Sequence, residues 1–416
     1  MELPKYSMGV GDRFGRQGAT QLEAFVRARR NGIDVTPVWN KSHREHAITG
    51  TNPESVRHEA DTATHELGWN APYFVDADHI RMDTVDAYIA SSDFFTIDVA
   101  DHIGSTSTGF ETESRAAKLS RLVGELALPG LPSPITISNA DIEHVATKYA
   151  PAVREASRVY KRILTAKGKD SFVVEVSMDE TDVPQSPTEL LLILALIANE
   201  GIPVQTIAPK FTGRFNKGID YSDDIAAFTR DFESDLAVVA YGVEAFGLPH
   251  NLKLSVHTGS DKFSLYPVMR TALEKFNAGV HLKTAGTTWL EELAALATAG
   301  DDGIAMARAI YQDAYARRDE LCGPYAAVID IDDTRLPLPD TVNDWPGNVF
   351  ATMLRHDAAN AQYNPHARQL LHLGFKIAAE FGDEFLTALD AHADTIGPNV
   401  TENLYDRHLL PLFSRT

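Results

Sequence analysis

The chain has 416 residues, 44% of them hydrophobic, enough to bury a large core. Its 58 acidic and 38 basic side chains leave a formal charge of −20, which argues against nucleic acid and anionic membranes as partners. The single cysteine, Cys322, rules out a disulfide framework and a cysteine-based zinc site. Residues 1–10 lack the apolar run of a signal peptide, and no stretch reaches the roughly 18 apolar residues of a membrane span. A cytoplasmic location is expected. A small anionic substrate remains compatible with the charge, because it needs only a local basic pocket.

Residues 8–18, MGVGDRFGRQG, are glycine-rich and invite a dinucleotide-binding reading. Gly9 and Gly11 have the spacing of G-x-G-x-x-G, but Phe14 occupies the third position and Gly15 follows one residue late. The short MELPKYSM segment ahead of Gly9 does not read as a strand. The expectation is an entry loop and no bound nucleotide. Beyond it, β-rich runs recur at 33–39, 72–77, 94–100, 172–178, 202–208, 251–257, 279–284 and 325–331. Amphipathic stretches such as TQLEAFVRARRNG, TELLLILALIANEG and WLEELAALATAG lie between them, each closed by a glycine. Eight rounds of strand–helix alternation predict a (β/α)8 barrel over residues 1–344. Residues 101–170 read as an enlarged connection with a long helix opened by Asn139. Residues 345–416 read as a C-terminal helical extension packed on the barrel.

Catalytic groups of such barrels sit at the C-terminal ends of the strands. Here the apolar runs end in Lys41 and Arg44; Asp76, Asp78 and His79; Asp98, Asp101 and His102; Asp179 and Glu180; Lys210; His257; His281 and Lys283; and Asp330 and Asp332. Singly, each is explained as a polar strand end meeting water. Together they would converge on one mouth.

VEVSMDETD is the most informative stretch. Glu175, Ser177 and Asp179 alternate to one face of a strand, where three polar side chains inside a barrel are costly unless paired or bound to something. Adjacent Asp179 and Glu180 suit a division of labour, one ligating a cation and one moving protons. The next helix is expected to start near Ser186-Pro187. His257 and His281 stand late in neighbouring runs, and two histidines with one carboxylate make a usual set for a catalytic divalent ion. His356 and His366 are reserve ligands in the helical tail. The segment APKFTGRFNKGIDY offers Lys210, Arg214 and Lys217, then Asp220, and reads as a clamp for a carboxylate or phosphate.

The stretches GVGDRFGRQG, VTPVWNKSHREH, PYFVDADHI, FFTIDVADHIG, VSMDETDVPQSP, APKFTGRFNKGIDY, KLSVHTGSDKFS and HLKTAGTTWLEE resemble the tagaturonate epimerases, from about residue 6 to 375. The resemblance implies interconversion of D-tagaturonate and D-fructuronate with a divalent metal (Mn, Zn, Ni or Co), and a keto-uronate as the small-molecule partner. Homo-oligomerisation is left open.

The two sugars differ at one carbon, two bonds from the ketone and two from the carboxylate, so neither group activates its C–H bond. Transient oxidation by bound NAD or retro-aldol cleavage and re-formation of the neighbouring bond remain. The off-register glycines disfavour the first, and a metal that polarises the ketone favours the second. The expected roles are Glu180, His257 and His281 on the metal, Asp179 and Asp220 in proton transfer, and Lys41, Lys210 and Arg214 on the carboxylate. A class II-type aldolase or ketose isomerase on the same barrel is the alternative. A non-catalytic sugar-acid-binding protein is a more remote one.

Overall fold

The computed structural model describes residues 1–105, 119–284 and 286–414. In chain order the strands are β1 (Tyr6–Val10), β2 (Thr36–Ser42), β3 (Phe74–Ile80), β4 (Phe94–Asp98), β5 (Gly124–Leu126), β6 (Ile135–Ile137), β7 (Val173–Ser177), β8 (Thr206–Ala208), β9 (Lys253–His257) and β10 (Val280–Lys283). Eight of them close a barrel in the order β1-β10-β9-β8-β7-β4-β3-β2, every pair parallel, with helices between. This is a (β/α)8 barrel. The strands β5 and β6 form a separate antiparallel hairpin inside the long connection between β4 and β7. Part of that connection lies outside the described residues.

Seven of the eight expected runs are barrel strands; the eighth differs. Residues Gly323–Val328 form a 3-10 helix, with Pro324 in its first turn and Ala326 and Ala327 exposed. A proline that cannot donate to a ladder and two small exposed residues suit a turn, not a buried strand. The missing barrel strand is β1, in the segment expected to be a loop. Its outward side chains Met8 and Val10 are buried, while Ser7 and Gly9 face inward. Glycine depresses strand propensity, which hides β1 in the sequence. Gly9 leaves room there for Lys283, whose Cγ would lie 3.1 Å from a Cβ at this position.

Two helix boundaries also move. The long pattern after β6 splits into helices Asn139–Lys148 and Ala150–Lys167, since Pro151 lies in the first turn of the second. The N-cap is Ser138, in a capping box with Asp141, not Asn139. The helix after β7 starts where expected: Ser186 caps it, Pro187 opens it and Glu189 closes the box.

The interior changes character along the strands. At the N-terminal end, Val38, Phe74, Phe94 and Val173 pack with Leu3 into a small apolar plug, separate from the main core between strands and helices. One layer up the ladder becomes polar: Asn40 is in register with Asp76 and Thr96 with Glu175, and Thr96 Oγ1 donates to Asp76 at 3.0 Å. A further layer brings Asp78, Asp98, Ser177 and His257 to the mouth. The plug closes one end, so anything binding in the barrel enters from the other.

The last helices run from Gly347–Leu354 to Leu410–Phe413 and pack against the barrel's outer helices. Thr401 Oγ1 donates to the Thr20 carbonyl, and Arg27 lies 4.5 Å from the Tyr405 ring centroid. Among the described residues no helix is long and apolar enough to cross a membrane.

Candidate functional site

The mouth is built around two basic side chains set among carboxylates. Lys283 Nζ, fully buried near the end of β10, lies 2.7 Å from Asp76, 2.9 Å from Asp78 and 3.3 Å from Glu175. Burial opposes its charge, but the three carboxylates hold it well above the ordinary lysine range. His257 ends β9, in register with Lys283. Its Nε2 meets Glu175 Oε1 at 2.8 Å and its Nδ1 meets Asp179 Oδ2 at 3.0 Å. Burial opposes protonation there too, yet Asp179 and Glu175 raise its pKa to about 10. In return, Lys283 and His257 carry Glu175 far below the usual carboxylate range, against its burial. Asp179 is likewise lowered by His257 against its burial. Asp76 moves the other way: burial, with Asp78 and Glu175 close, outweighs Lys283 and raises it to about 6.

His79 completes the group. The β3–β4 register shifts between Ala77 and Ile80, and His79 sits there at φ 50°. Such left-handed backbone is rare outside glycine, and a bulge re-aims a side chain. Strict alternation after Asp76 and Asp78 would turn His79 away from the mouth. Instead its ring lies 5.1 Å from that of His257, with Nδ1 buried and without a hydrogen-bond partner. One ligand atom each from His79, Asp179 and His257 fall within 4.8 Å of one another. Among the described residues this is the one cluster of histidine, cysteine and carboxylate ligands of that kind. Two imidazoles and one carboxylate from three strand ends match the donor set of an open divalent site, and the buried His79 Nδ1 has no hydrogen-bond partner of its own among the described residues.

The expected ligand trio is therefore not the one brought together. His257 belongs to the cluster, but Glu180 and His281 do not. His281 pairs with Ser255, one layer below His257. It is fully buried, its Nδ1 lies 2.9 Å from Ser7 Oγ, and its ring lies 5.2 Å from that of Phe94. Burial lowers its pKa to about 3. Glu180 is exposed at the rim, within electrostatic reach of Arg81 and Lys217.

The proposed proton carriers and clamp also divide. Asp179 lies in the cluster. Asp220 accepts hydrogen bonds from the amides of Tyr221 and Ser264 and from Ser264 Oγ at 2.9 Å, which makes it a loop brace. Lys41 is buried and donates to the Arg13 carbonyl at 2.5 Å. Lys210 Nζ donates to the Thr181 carbonyl, and Arg214 donates to the Ile329 carbonyl at 3.1 Å. All three cations are held by backbone oxygens. The reserve histidines lie elsewhere too: His356 is 3.1 Å from Asp261, and His366 Nδ1 accepts from the Asp332 amide.

Fold and site together define a (β/α)8-barrel protein whose strand ends carry a two-histidine, one-carboxylate cluster above a buried lysine. The chain belongs to the tagaturonate epimerase family, whose model matches residues 1–410. A tagaturonate/fructuronate epimerase of Thermotoga maritima is 31% identical over 297 residues, which cover 68% of this chain and 58% of that protein. The chain thus matches less than two thirds of that relative's length. The native crystal structure of the fructuronate-tagaturonate epimerase from Cohnella laeviribosi superposes with a TM-score of 0.82 at 23% identity, covering 99% of this chain and 82% of that one. Its complex with one glycerol gives 0.81 at the same identity and coverage. These two likenesses concern the fold.

Proposed function

We propose that the chain interconverts D-tagaturonate and D-fructuronate by breaking and re-forming the bond between C3 and C4, counted from the hydroxymethyl end, at a divalent cation held by His79, Asp179 and His257. Membership of the family supplies the substrates. The observation that carries the chemistry is the convergence of those three ligand atoms within 4.8 Å at the ends of β3, β7 and β9. The charge of the mouth agrees: Asp76, Asp78, Asp98, Glu175 and Asp179 outnumber Lys283 and Arg81.

A cation at this site, when bound, polarises the ketone and offsets the negative charge that cleavage leaves on the three carbons next to it. The protein's own groups do the rest. Glu180 has no hydrogen-bond partner among the described residues and stands beside Asp179. It is assigned removal of the C4 hydroxyl proton as that carbon becomes an aldehyde. The division of labour between the adjacent carboxylates is thereby the reverse of the sequence expectation, with Asp179 on the ion and Glu180 on the proton. Lys283 holds Asp76, Asp78 and Glu175 in place, and Glu175 orients His257 through Nε2 so that Nδ1 faces Asp179. Rotation of the aldehyde before the bond re-forms, with Glu180 giving the proton back to the C4 oxygen, yields the epimer.

The test is to strip the full chain with a chelator, restore Mn, Co, Ni or Zn singly, and follow D-tagaturonate by NMR. The expected result is D-fructuronate formed only with metal. Two accumulating three-carbon products would make the protein an aldolase instead, and no turnover with any metal would remove the proposal.

A further inference from the structure

Resting on that reading, we propose that Lys217 and Arg44, gathered around Tyr325, bind the carboxylate of the keto-uronate. Lys217 belongs to the basic segment read from the sequence as an anion clamp and Arg44 was noted only as a strand-end residue, while Lys41, Lys210 and Arg214, to which the carboxylate was assigned, donate to backbone carbonyls. Tyr325 is a buried side chain of the 3-10 segment that replaces the expected last strand. Three cations from three parts of the chain surround its ring: Lys376 Nζ at 4.6 Å from the centroid, Arg44 Cζ at 5.2 Å and Lys217 Nζ at 5.6 Å. None of the three pairs with a carboxylate within 4.0 Å among the described residues, although the chain holds 58 acidic side chains. Arg44 and Lys217 follow the C-terminal ends of β2 and β8, so both stand at the mouth that carries the histidine cluster.

The backbone of Lys217 is fixed from every side. Its amide donates to the Val328 carbonyl at 2.8 Å. The Gly218 amide donates to Ser260 Oγ at 2.8 Å, and its carbonyl accepts from the fully buried Arg368 at 2.7 Å. Buried Lys262 donates to the carbonyls of Asn216 at 2.9 Å and Ile219 at 2.7 Å. Gly218 lies at φ 79°, where a Cβ would also press on the Arg368 carbonyl at 3.2 Å. Two buried cations and a left-handed glycine thus fix the backbone of a lysine whose ammonium has no carboxylate within 4.0 Å among the described residues. Such preorganisation of an unpaired charge stabilises a bound counterion, because the ordering cost is met before binding. The like charges crowd one another: burial, then Arg44 and Arg13, lower the pKa of Lys217. A carboxylate arriving between them relieves that repulsion.

The test pairs kinetics with a binding probe that does not react. In the metal-loaded full chain, Lys217→Met and Arg44→Met should each raise KM for D-tagaturonate about 10- to 100-fold, with kcat changed far less, and Lys217→Arg should restore most of the loss. By calorimetry the wild type should prefer D-gluconate to sorbitol, which differs only in lacking the carboxylate, and Lys217→Met should abolish that preference. Unchanged KM together with a retained preference for gluconate would overturn the assignment while leaving the epimerase reading intact. Selective gluconate binding that depends on Lys217 and Arg44, without turnover of tagaturonate on any metal, would sustain the site and end the epimerase reading.

Discussion

His257 Nδ1 stands 3.0 Å from Asp179 Oδ2 across the intervening strand β8, while Nε2 of the same ring stands 2.8 Å from Glu175. One imidazole therefore couples the end of β7 to the end of β9 and faces His79 on its open side. If these three residues hold the ion, His79→Ala and His257→Ala should each lose stoichiometric metal and cut kcat by at least about 1,000-fold. His281→Ala should keep its metal, because His281 lies one layer below His257 and outside the cluster. Metal content by plasma mass spectrometry on the purified variants decides between the two histidine pairs. A His281 variant that lost metal while His79→Ala kept it would restore the trio expected from the sequence.

Lys283 is the counterion of three buried carboxylates. Lys283→Met would leave Asp76, Asp78 and Glu175 facing one another with His257 alone, a loss of the kind that costs about 3–5 kcal/mol. Adding Asp76→Asn, which removes one of the uncompensated charges, should recover part of it. Urea unfolding of the single and double variants measures both. Equal stability of Lys283→Met and wild type would mean the carboxylates are not charged together in the folded protein.

What could be read in advance follows the physics of each segment. β7 was legible to the side chain, because strict alternation put Glu175, Ser177 and Asp179 on one face, and all three meet there, with Ser177 bonded to Asp179 and Glu175 and Asp179 to His257. β1 was not, because Gly9 erases the propensity signal while serving the close approach of Lys283. His79 escaped because a bulge breaks the alternation that sequence patterns rest on, although the residue was visible as a strand end. The depth of His281 escaped because a histidine two positions before the strand end looks the same in sequence as one at it; only the register against Ser255 separates the layers. That Lys41, Lys210 and Arg214 each donate to a backbone carbonyl was not legible, because a sequence does not reveal which cations are already hydrogen-bonded to the main chain.

Asp261 ties the loop after β9 to the C-terminal helices. Its buried carboxylate accepts from Arg368 at 2.7 Å, Thr287 at 3.0 Å, His356 at 3.1 Å and His408 at 3.2 Å. Burial would raise its pKa, but Arg368 and the two histidines hold it well below the carboxylate range. Asp261→Asn keeps the shape but sets an amide N–H₂ against donors and takes from the buried Arg368 its carboxylate at 2.7 Å, leaving only Glu291 at 4.0 Å. The variant should be destabilised by about 3–5 kcal/mol and should open the 356–414 region to limited proteolysis before the barrel unfolds. If the tail stays as resistant as in wild type, Asp261 is not what anchors it.

At the opposite end, Lys253 on β9 donates to the carbonyls of Leu3 at 3.2 Å and of Pro4, closing the barrel under the apolar plug. Burial, only weakly opposed by Glu2, lowers its pKa to about 7. A neutral amine has two N–H donors, which is what two carbonyls require. Between pH 7 and the unfolded value near 10.5 the unfolded chain binds more protons at this site than the folded one does. The contribution of Lys253 to stability should therefore rise with pH across that window and level off below pH 7, where the ammonium is held in both states. Lys253→Met removes the titrating group, so the stability difference between wild type and variant should shift in favour of wild type as pH goes from 6.5 to 9.5. Urea unfolding at the two pH values reads that shift directly, and a difference independent of pH would show that the buried amine keeps its proton throughout.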